Sequence, residues 1–429
     1  MTVKPPIGRA HSLAYALGGV GTGIINSVPT LLLLFFATEI LHITPATAAL
    51  IILVPKLWIV LWEPFVGNWS DRAVSRWGRR RPFMLVGALV LTSGFVLLFA
   101  PPSFAADHAV GWTSAAYFLL MSGFSLYFVP YVAIPADVEA ESRTRLVSWR
   151  MTCAMLGALV SATMAPVIVS AGGGGEGGYR LMAYLVAPVC LVAMLFPLLL
   201  PAADRSVATT SGAGLWVQIC RAAGDRPFRT LTIVQTMQVA AVGAMSAGMP
   251  YLIINHLHRP SADVGLAFCI QLIPAVFAVP IFVAVSRRIG KVYSQMLASA
   301  LFALGSGLVA YLILLGVSWS FIVAAMPLIG LGFGGMQGQS FAISADFIHA
   351  ANSEHEGGAS FTGVWTAAEK VGLALGPAMT GVMLAALGPD IILWQIWGPS
   401  LIIMASLHGL WTIRSDNSKR KFEDLATTS

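Results

Sequence analysis

The amino-acid sequence predicts an all-α integral membrane protein with about twelve transmembrane helices in two pseudo-symmetric six-helix bundles, and three observations support this fold class. Of the 429 residues, 57% are hydrophobic and only 10% are charged, whereas soluble domains carry roughly 25% charged residues. The mean hydropathy is +0.79. Apolar runs of about 20 residues, the length that spans a bilayer, recur along the chain, and they lack the alternation of membrane β-strands.

Polar breaks divide the chain into twelve predicted spans. The first span follows a segment without a small-residue cleavage pattern, so we expect it to be retained rather than removed as a signal peptide. The predicted limits are approximately 12–38, 46–68, 83–101, 111–135, 148–171, 180–201, 229–254, 262–285, 292–315, 319–346, 359–386 and 390–413.

Basic residues determine the expected orientation, because Lys and Arg are enriched in cytoplasmic loops. They concentrate in the breaks after even-numbered spans, and Arg180 and Arg259 are the exceptions after odd-numbered spans. Both termini are therefore expected in the cytoplasm, with the chain in the plasma membrane. The net charge of +6 is then explained by orientation, and nucleic-acid binding is not expected.

A duplication is predicted from the longest break and from two short repeats. Residues 202–228 separate an N-terminal bundle, 1–201, from a C-terminal bundle, 229–413, and residues 414–429 form a cytoplasmic tail. The segment AIPAD at 133–137 is matched by AISAD at 342–346, and VSR at 74–76 by VSR at 285–287. Duplicated helical halves around a central cavity are typical of secondary transporters.

Several motifs carry a resemblance to a known family. They are Leu57-Trp58, Trp62-Glu63-Pro64 and Gly67 in the second span, the SDR turn and RWGRRRP after it, Val129-Pro130-Tyr131, the run GLGFGG, and Lys370. In this order they resemble the glycoside-pentoside-hexuronide:cation symporter family (melibiose-permease-like) of the major facilitator superfamily. The resemblance implies the major facilitator fold and transport of a small organic solute by alternating access.

Residues at the cytoplasmic ends of the spans are interpreted as a gate. The loop after the second span has the Gly, Asp and Arg spacing of the superfamily's signature loop, although the same arginines could simply anchor in anionic headgroups. Asp137 and Asp346 end equivalent spans of the two halves and are expected near arginines. The predicted gating residues are Gly67, Asp71, Arg72, Arg79, Asp137, Arg143 and Asp346.

Lys56 and Glu63 are the candidate charged pair of the cavity. Charges inside a membrane are costly and mark functional sites by default, and seven residues of helix separate these two by about 10 Å on one face. Buried charges satisfied by neighbouring helices are the alternative. The resemblance implies that Lys56 contacts the solute and that Glu63 serves the coupling cation.

The chain departs from the sodium-coordinating relatives at two positions. Those relatives carry acids where this chain has Ile59 and Phe128, and the sugar-binding relatives carry an acid near Gly23, where Asn26 is the polar residue here. A sodium site of several carboxylates is therefore not expected. Since removal from water disfavours the charged form of a carboxyl, a single Glu63 is expected to carry a proton instead.

Aromatic and amide side chains complete the predicted solute site. Aromatic rings can stack on sugar rings or apolar ligands, and amides can bond hydroxyl groups, although both residue types also bridge helices. The predicted solute-binding residues are Asn26, Lys56, Trp58, Trp62, Tyr131, Gln235, Gln238, Gln271, Gln337, Trp365 and Lys370.

Rival functions remain open at this point. The sequence lacks HExxH, and its four cysteines stand singly, so neither an enzyme nor a metal or cofactor site is expected. A receptor on the same fold is disfavoured by the intramembrane charges. The leading hypothesis is a monomeric, proton-coupled symporter of a sugar-like or other small solute in the lipid bilayer; an exporter or facilitator of amphipathic compounds is the alternative.

Overall fold

The computed structural model describes residues 8–73, 75–137, 140–200, 224–353, 358–388 and 397–412. Within these ranges all regular structure is helical, and eleven helices are long and apolar enough to cross a membrane. The predicted all-α membrane class is confirmed. The helices are α1 (Arg9–Phe35), α2 (Pro45–Arg72), α3 (Arg81–Phe99), α4 (Ala109–Ala133), α5 (Ala140–Ala171), α6 (Glu176–Leu195), α7 (Arg226–Pro250), α8 (Ala262–Ile289), α9 (Lys291–Leu314), α10 (Trp319–Ser353), α11 (Gly358–Leu387) and α12 (397–412).

The chain divides into two compact units. The first comprises Met1–Thr210 with Met249–Leu266, and the second comprises Ser211–Gly248 with Ala267–Ser429. Helix α7 therefore begins in the second unit, and its last residues belong to the first. Most of the predicted linker, and the whole tail at 414–429, lie outside the described residues.

Helices of the first unit approach one another through glycine. Helix α1 packs along α5, while α4 packs against both α2 and α3. A Cβ atom added at Gly19 would lie 2.5 Å from the carbonyl oxygen of Arg150 on α5. A Cβ atom added at Gly23 would overlap the carbonyl oxygen of Ala154 on the same helix. Small residues allow such close backbone contact in membranes. The sequence-based interpretation of the glycine run in α1 as a packing surface is confirmed.

Glycines also bring the helices of the second unit together. In the run GLGFGG of α10, Gly330 and Gly334 lie against backbone carbonyls of α8, whereas Gly332 lies against the backbone of Phe302 on α9. In α11, Gly376 lies against Ala240 of α7, where an added Cβ would be 2.5 Å from the carbonyl oxygen. The glycine-rich segment of α10 is therefore a two-sided packing surface.

Candidate functional site

Two ionisable residues lie in the membrane-crossing part of α2. Lys56 is only 6% exposed, and its ammonium group donates a hydrogen bond to Thr30 Oγ1 of α1 at 3.4 Å. Glu63 is partly buried on the same helix, about 10 Å further along its axis. Both candidate charges are thus withdrawn from the outer surface of the unit, as the cost of charge in a membrane requires.

Prolines flank this pair of charges. Pro55 directly precedes the lysine and Pro64 directly follows the glutamate, both inside α2. Proline has no N–H group, so the carbonyls four residues earlier, of Ile51 and Val60, lose their helical donor. Carbonyl oxygens released in this way can accept hydrogen bonds from water or from a hydroxyl-bearing solute.

Aromatic side chains lie together between the lysine and the glutamate. The rings of Trp58 and Trp62 stack at 5.5 Å, and Trp58 also lies 5.2 Å from the ring of Phe118 on α4. The indole of Trp58 donates to Ser122 Oγ at 3.3 Å, and both tryptophans remain partly exposed. The two tryptophans are therefore neighbours in one aromatic cluster on α2, and their contact with a solute stays a prediction.

A short polar track extends the site onto α1. Asn26 is exposed, and its backbone carbonyl accepts a hydrogen bond from Thr30 Oγ1 at 2.9 Å. Because the same hydroxyl accepts from Lys56, this threonine connects the lysine to the face of α1 that carries Asn26. The side chain of Asn26 is available for a ligand.

Tyr131 does not belong to an accessible site. It is 0% exposed, its hydroxyl donates to the carbonyl of Tyr15 at 2.7 Å, and the hydroxyl of Tyr15 donates to the carbonyl of Tyr131 at 3.3 Å. The two rings lie 4.8 Å apart. The sequence-based interpretation of Tyr131 as a solute platform is corrected, because reciprocal hydrogen bonds commit it to joining α1 and α4.

The two glutamines of α7, Gln235 and Gln238, differ in how fully their amide groups are hydrogen-bonded. Gln235 donates to Gln337 Oε1 at 3.1 Å, Gln337 is partly exposed, and Gln235 Oε1 is buried without a hydrogen-bond partner. Gln238 instead donates to Ser299 and Ser406 at 3.0 and 3.2 Å and accepts from Gln295 at 3.2 Å. Its hydrogen bonds are made within the protein, so the structure assigns Gln238 to packing rather than to the solute.

The other candidates of the second unit differ in accessibility. Trp365 is 4% exposed within an apolar cluster that includes Phe228 and Leu410, so the predicted solute contact by its ring is corrected to core packing. Gln271 is 5% exposed, and its side-chain Nε2 makes no hydrogen bond with the described residues. Lys370 is partly buried on α11, next to Glu369.

The predicted gating residues of the first unit are described only in part. Gly67 approaches Val129 of α4, where an added Cβ would lie 3.5 Å away. Arg72 is exposed and Arg79 is partly buried. The side chains of the remaining first-unit gating residues, Asp71, Asp137 and Arg143, lie outside the described residues.

Similar cationic contacts are made to α4 and α10 near the repeated segments, and the sequence analysis missed them. Arg80 donates to the carbonyl of Ala133 at 2.7 Å, and Lys291 donates to the carbonyl of Ala342 at 3.3 Å. Lys291 also pairs with Asp346 at 2.6 Å. Each repeated Ala-Ile-x-Ala-Asp segment therefore has a basic residue bound to the carbonyl of its first alanine, at the end of α4 and inside α10.

A contact at the opposite ends of α1 and α7 was also missed. Both helices continue as π-helical segments, Phe36–Ile40 and Tyr251–His256. Within the first unit, Thr38 Oγ1 lies 2.5 Å from Tyr251 Oη, and Asn255 donates to Glu39 Oε2 at 3.1 Å. Hydropathy alone could not predict it, because Thr38 and Tyr251 are far apart in sequence and have no distinguishing motif.

A cation-binding cluster is not seen in the part of the chain that the structure describes. No group of three or more His, Cys, Asp or Glu side chains is close enough there to hold a metal ion. Of the cysteines in these ranges, Cys153, Cys190 and Cys269 are free thiols.

Comparison with known sequences gives the family of the chain. The profile of the MFS/sugar transport protein family matches residues 14–398. The chain belongs to this family. Its members and the relatives below are transporters rather than enzymes, and the predicted resemblance to major facilitator symporters is confirmed.

Individual relatives of this sugar-transporter family member are distant. The isoprimeverose transporter of Lactiplantibacillus pentosus is 26% identical over 88% of this chain and 80% of its own. The inner membrane symporter YicJ of Escherichia coli is 25% identical over 66% and 61%, and the glucuronide carrier protein homolog of E. coli is 24% identical over 78% and 74%. The chain spans about a third of the length of three relatives to which it is 30% identical.

Solved structures share the fold of this family member. A D-xylose-proton symporter has a TM-score of 0.72 at 15% identity, covering 94% of this chain and 97% of its own. A bacterial homologue of the peptide transporters PepT1 and PepT2 has a TM-score of 0.71 at 12% identity, covering 97% and 99%. The chain therefore has the major facilitator fold.

Proposed function

We propose that the protein is a proton-coupled symporter that moves a small sugar-like solute by alternating access. The family and the fold support transport, and the similarity to an isoprimeverose transporter favours a sugar-like solute. The protein works as a monomer in the cytoplasmic membrane, with both termini in the cytoplasm, as the distribution of basic residues favours.

The arrangement on α2 is the observation that carries this proposal. One helix bears a buried ammonium group, a stacked tryptophan pair and a partly buried carboxyl, in that order along its axis. Hydroxyls of the solute bind Lys56 and the side chain of Asn26, and an apolar face of the solute stacks on Trp58 or Trp62. That Gln271, Lys370 and the pair Gln235–Gln337 of the second unit also bind the solute stays a prediction from the sequence.

Glu63 couples transport to the proton gradient. It is the carboxyl in the membrane-crossing part of α2, where ionisable residues mark functional sites, and in this proposal it takes up a proton before the loaded carrier reorients. The proton then leaves on the cytoplasmic side, and the carrier returns. Sodium is the less favoured ion, because two acids of the sodium-coordinating relatives are replaced here by Ile59 and Phe128.

Glu63→Gln tests the coupling role in proteoliposomes. We expect it to abolish accumulation of solute against its gradient while exchange of preloaded solute continues, because a permanently neutral side chain mimics the protonated carrier. The matched control is Glu176→Gln, since that carboxyl pairs with Arg180 on an exposed surface. Accumulation at the wild-type level by the Glu63→Gln protein would remove this carboxyl from the mechanism.

The second candidate function is export or facilitated movement of amphipathic compounds. The cluster of Trp58, Trp62 and Phe118 favours it, because three adjacent rings offer a large apolar contact beside a single cation. Thermal stabilisation by ligand separates the two, since a ligand stabilises the state that it binds. Stabilisation by glycosides, changed by pH but not by sodium, supports the symporter; stabilisation only by amphipathic compounds supports the second function.

A further inference from the structure

A small cavity lies at the start of α3, at the end of the first unit where the distribution of basic residues predicts the cytoplasm. Its volume is about 200 Å³, and its lining residues are Trp77, Arg81, Leu85 and Leu198. None of them is among the predicted solute-binding residues. Pockets that enclose drug-sized ligands measure about 300–1,000 Å³, so this cavity suits one small polar group rather than a whole glycoside.

The turn before α3 fixes one wall of the cavity. The backbone N–H of Trp77 donates to Ser75 Oγ at 3.2 Å, and the N–H of Gly78 donates to the carbonyl of Ser75 at 3.2 Å. Gly78 has φ of +93°, in the left-handed region that glycine adopts readily. These contacts define the turn that places Trp77 at the cavity, while 61% of this residue stays exposed.

Arg81 supplies the charge of the cavity. It is the first residue of α3, where the helix dipole also favours an anion. Its Nη2 donates to the carbonyl of Leu200, just beyond the short helix Phe196–Leu199 that follows α6. Within the described ranges its side chain makes no other hydrogen bond or ion pair, so its remaining N–H groups can bind an anion. The bond to Leu200 holds the guanidinium between α3 and the end of α6.

The charge around the cavity favours an anionic ligand. Residues 71–81 contain five arginines against one acid, Asp71. Two of these arginines, Arg72 and Arg76, are exposed. Basic clusters next to a membrane helix attract anionic lipid headgroups, and basic pockets between helices bind them.

The other lining residues of the cavity are apolar and adjoin the lipid-facing surface. Leu85 lies one turn beyond Arg81 on α3, and Leu198 lies in the short helix after α6. Their neighbours Val86 and Leu199 are 49% and 66% exposed, as side chains that face lipid are. A ligand held by the guanidinium therefore continues onto an apolar surface, which favours a lipid over a soluble anion.

We propose that this cavity binds the phosphate group of an anionic phospholipid. The phosphate pairs with the guanidinium fork of Arg81, and the exposed ring of Trp77 lies at headgroup level, where tryptophan is enriched in membrane proteins. The acyl chains pass Leu85 and Leu198 into the bilayer. The bound lipid thereby joins the start of α3 to the end of α6. This inference does not depend on the proposed function, because the cavity lies outside the predicted solute site.

Lipid binding to the purified full-length protein tests the inference. Native mass spectrometry compares phosphatidylglycerol with phosphatidylcholine of identical acyl chains, and sn-glycerol 3-phosphate serves as the soluble phosphate. We expect phosphatidylglycerol to bind more tightly than phosphatidylcholine, and the soluble phosphate not to displace it. Arg81→Gln should weaken phosphatidylglycerol binding about fivefold, the contribution of one basic residue near an anionic membrane. The control Arg72→Gln should weaken it less, because Arg72 does not line the cavity.

A pair of tryptophan substitutions tests the cavity without removing charge. Leu198→Trp fills the cavity and should remove most of the preference for phosphatidylglycerol. Leu199→Trp adds the same ring at an adjacent exposed residue outside the lining and should retain the preference. Because the bond from Arg81 goes to a backbone carbonyl, both variants keep it, so this pair decides the matter even if Arg81→Gln does not fold.

Four results overturn the inference. They are equal binding of the two phospholipids by the wild-type protein, displacement of phosphatidylglycerol by the soluble phosphate, equal losses in the two arginine variants, and an unchanged preference in Leu198→Trp. Displacement by the soluble phosphate assigns the cavity to a free anion instead of a lipid. Equal losses in the arginine variants assign the preference to the general charge of the loop.

Discussion

Exchanging single amides on α7 separates structural from solute-binding roles. Gln238 and Gln235 lie one turn apart, both 0% exposed, but the first is enclosed by hydrogen bonds and the second retains an unpaired Oε1. Methionine has a similar length and shape to glutamine and no amide. We therefore compare Gln238→Met with Gln235→Met.

The expected loss of stability follows from the hydrogen bonds. Gln238→Met removes three hydrogen bonds, to Ser299, Ser406 and Gln295. Hydrogen bonds between membrane helices contribute about 0.6 kcal/mol on average and about 1.7 kcal/mol at most, so the total loss is roughly 2 kcal/mol. At about 2–4 °C per kcal/mol for a unit of this size, the apparent Tm should fall by about 4–8 °C. Gln235→Met removes one hydrogen bond and should lower it by less than about 3 °C.

For the KM of transport, the larger effect is expected from Gln235→Met rather than from Gln238→Met. Gln238→Met should leave the KM of the solute unchanged, because that amide makes its contacts inside the second unit, whereas Gln235→Met should raise KM several-fold. Thermal unfolding in detergent and initial uptake rates in proteoliposomes measure the two effects. A Gln238→Met protein with a wild-type Tm and a raised KM would refute the assignment of this residue to packing.

The remaining predictions concern helix contacts. Gly376→Ala should lower the apparent Tm by the equivalent of about 1–3 kcal/mol, the usual cost of overpacking, because the added Cβ would lie 2.5 Å from the carbonyl oxygen of Ala240. The control Gly307→Ala should not lower the Tm, since a Cβ at that position meets nothing within 4 Å. Equal losses of Tm in the two variants would contradict the argument. A double-mutant cycle of Thr38→Val and Tyr251→Phe should give a coupling of about 0.5–1.5 kcal/mol in unfolding free energy, and simple additivity would exclude the 2.5 Å hydrogen bond.

Hydropathy and glycine patterning predicted the helices but not the direction of their polar side chains. Charged residues are rare in membrane helices because their transfer from water costs free energy, so Lys56 and Glu63 could be recognised from the sequence as candidate buried charges. Whether an amide or phenol turns toward a cavity or a neighbouring helix depends on helix rotation, which the apolar runs do not determine. The sequence therefore predicts Tyr131 and Gln238 in the solute site, although hydrogen bonds within the protein commit both to helix contacts.

The two short repeats used to predict the duplication are not equally informative. The pair around Ala133 and Ala342 ends in matching cationic contacts. The VSR pair does not occupy equivalent elements, because residues 75–76 follow the end of α2, whereas residues 285–287 lie inside α8. That part of the prediction is wrong, since a three-residue match is short enough to arise between unrelated positions.

The first residues of corresponding helices show where the two halves differ in length. Helices α1 and α7 start 217 residues apart (9 and 226), as do α2 and α8 (45 and 262), whereas α3 and α9 (81 and 291) and α4 and α10 (109 and 319) start 210 apart. Seven residues are therefore missing between the second and third helices of the second half. There, Gly290 alone joins α8 to α9 with φ of +87°, a conformation that favours glycine.

The deleted segment corresponds to the arginine-rich loop of residues 73–80. The second half keeps a basic residue where its third helix begins, Lys291, and a carbonyl partner for it, but it has no room for a loop that could change its conformation. In the first half, eight residues separate α2 from α3 and carry Arg76 and Arg79 beyond the helix end. A basic residue therefore contacts the first alanine of the repeated segment in both halves, while the longer loop, with the predicted gating residue Arg79, occurs in the first half.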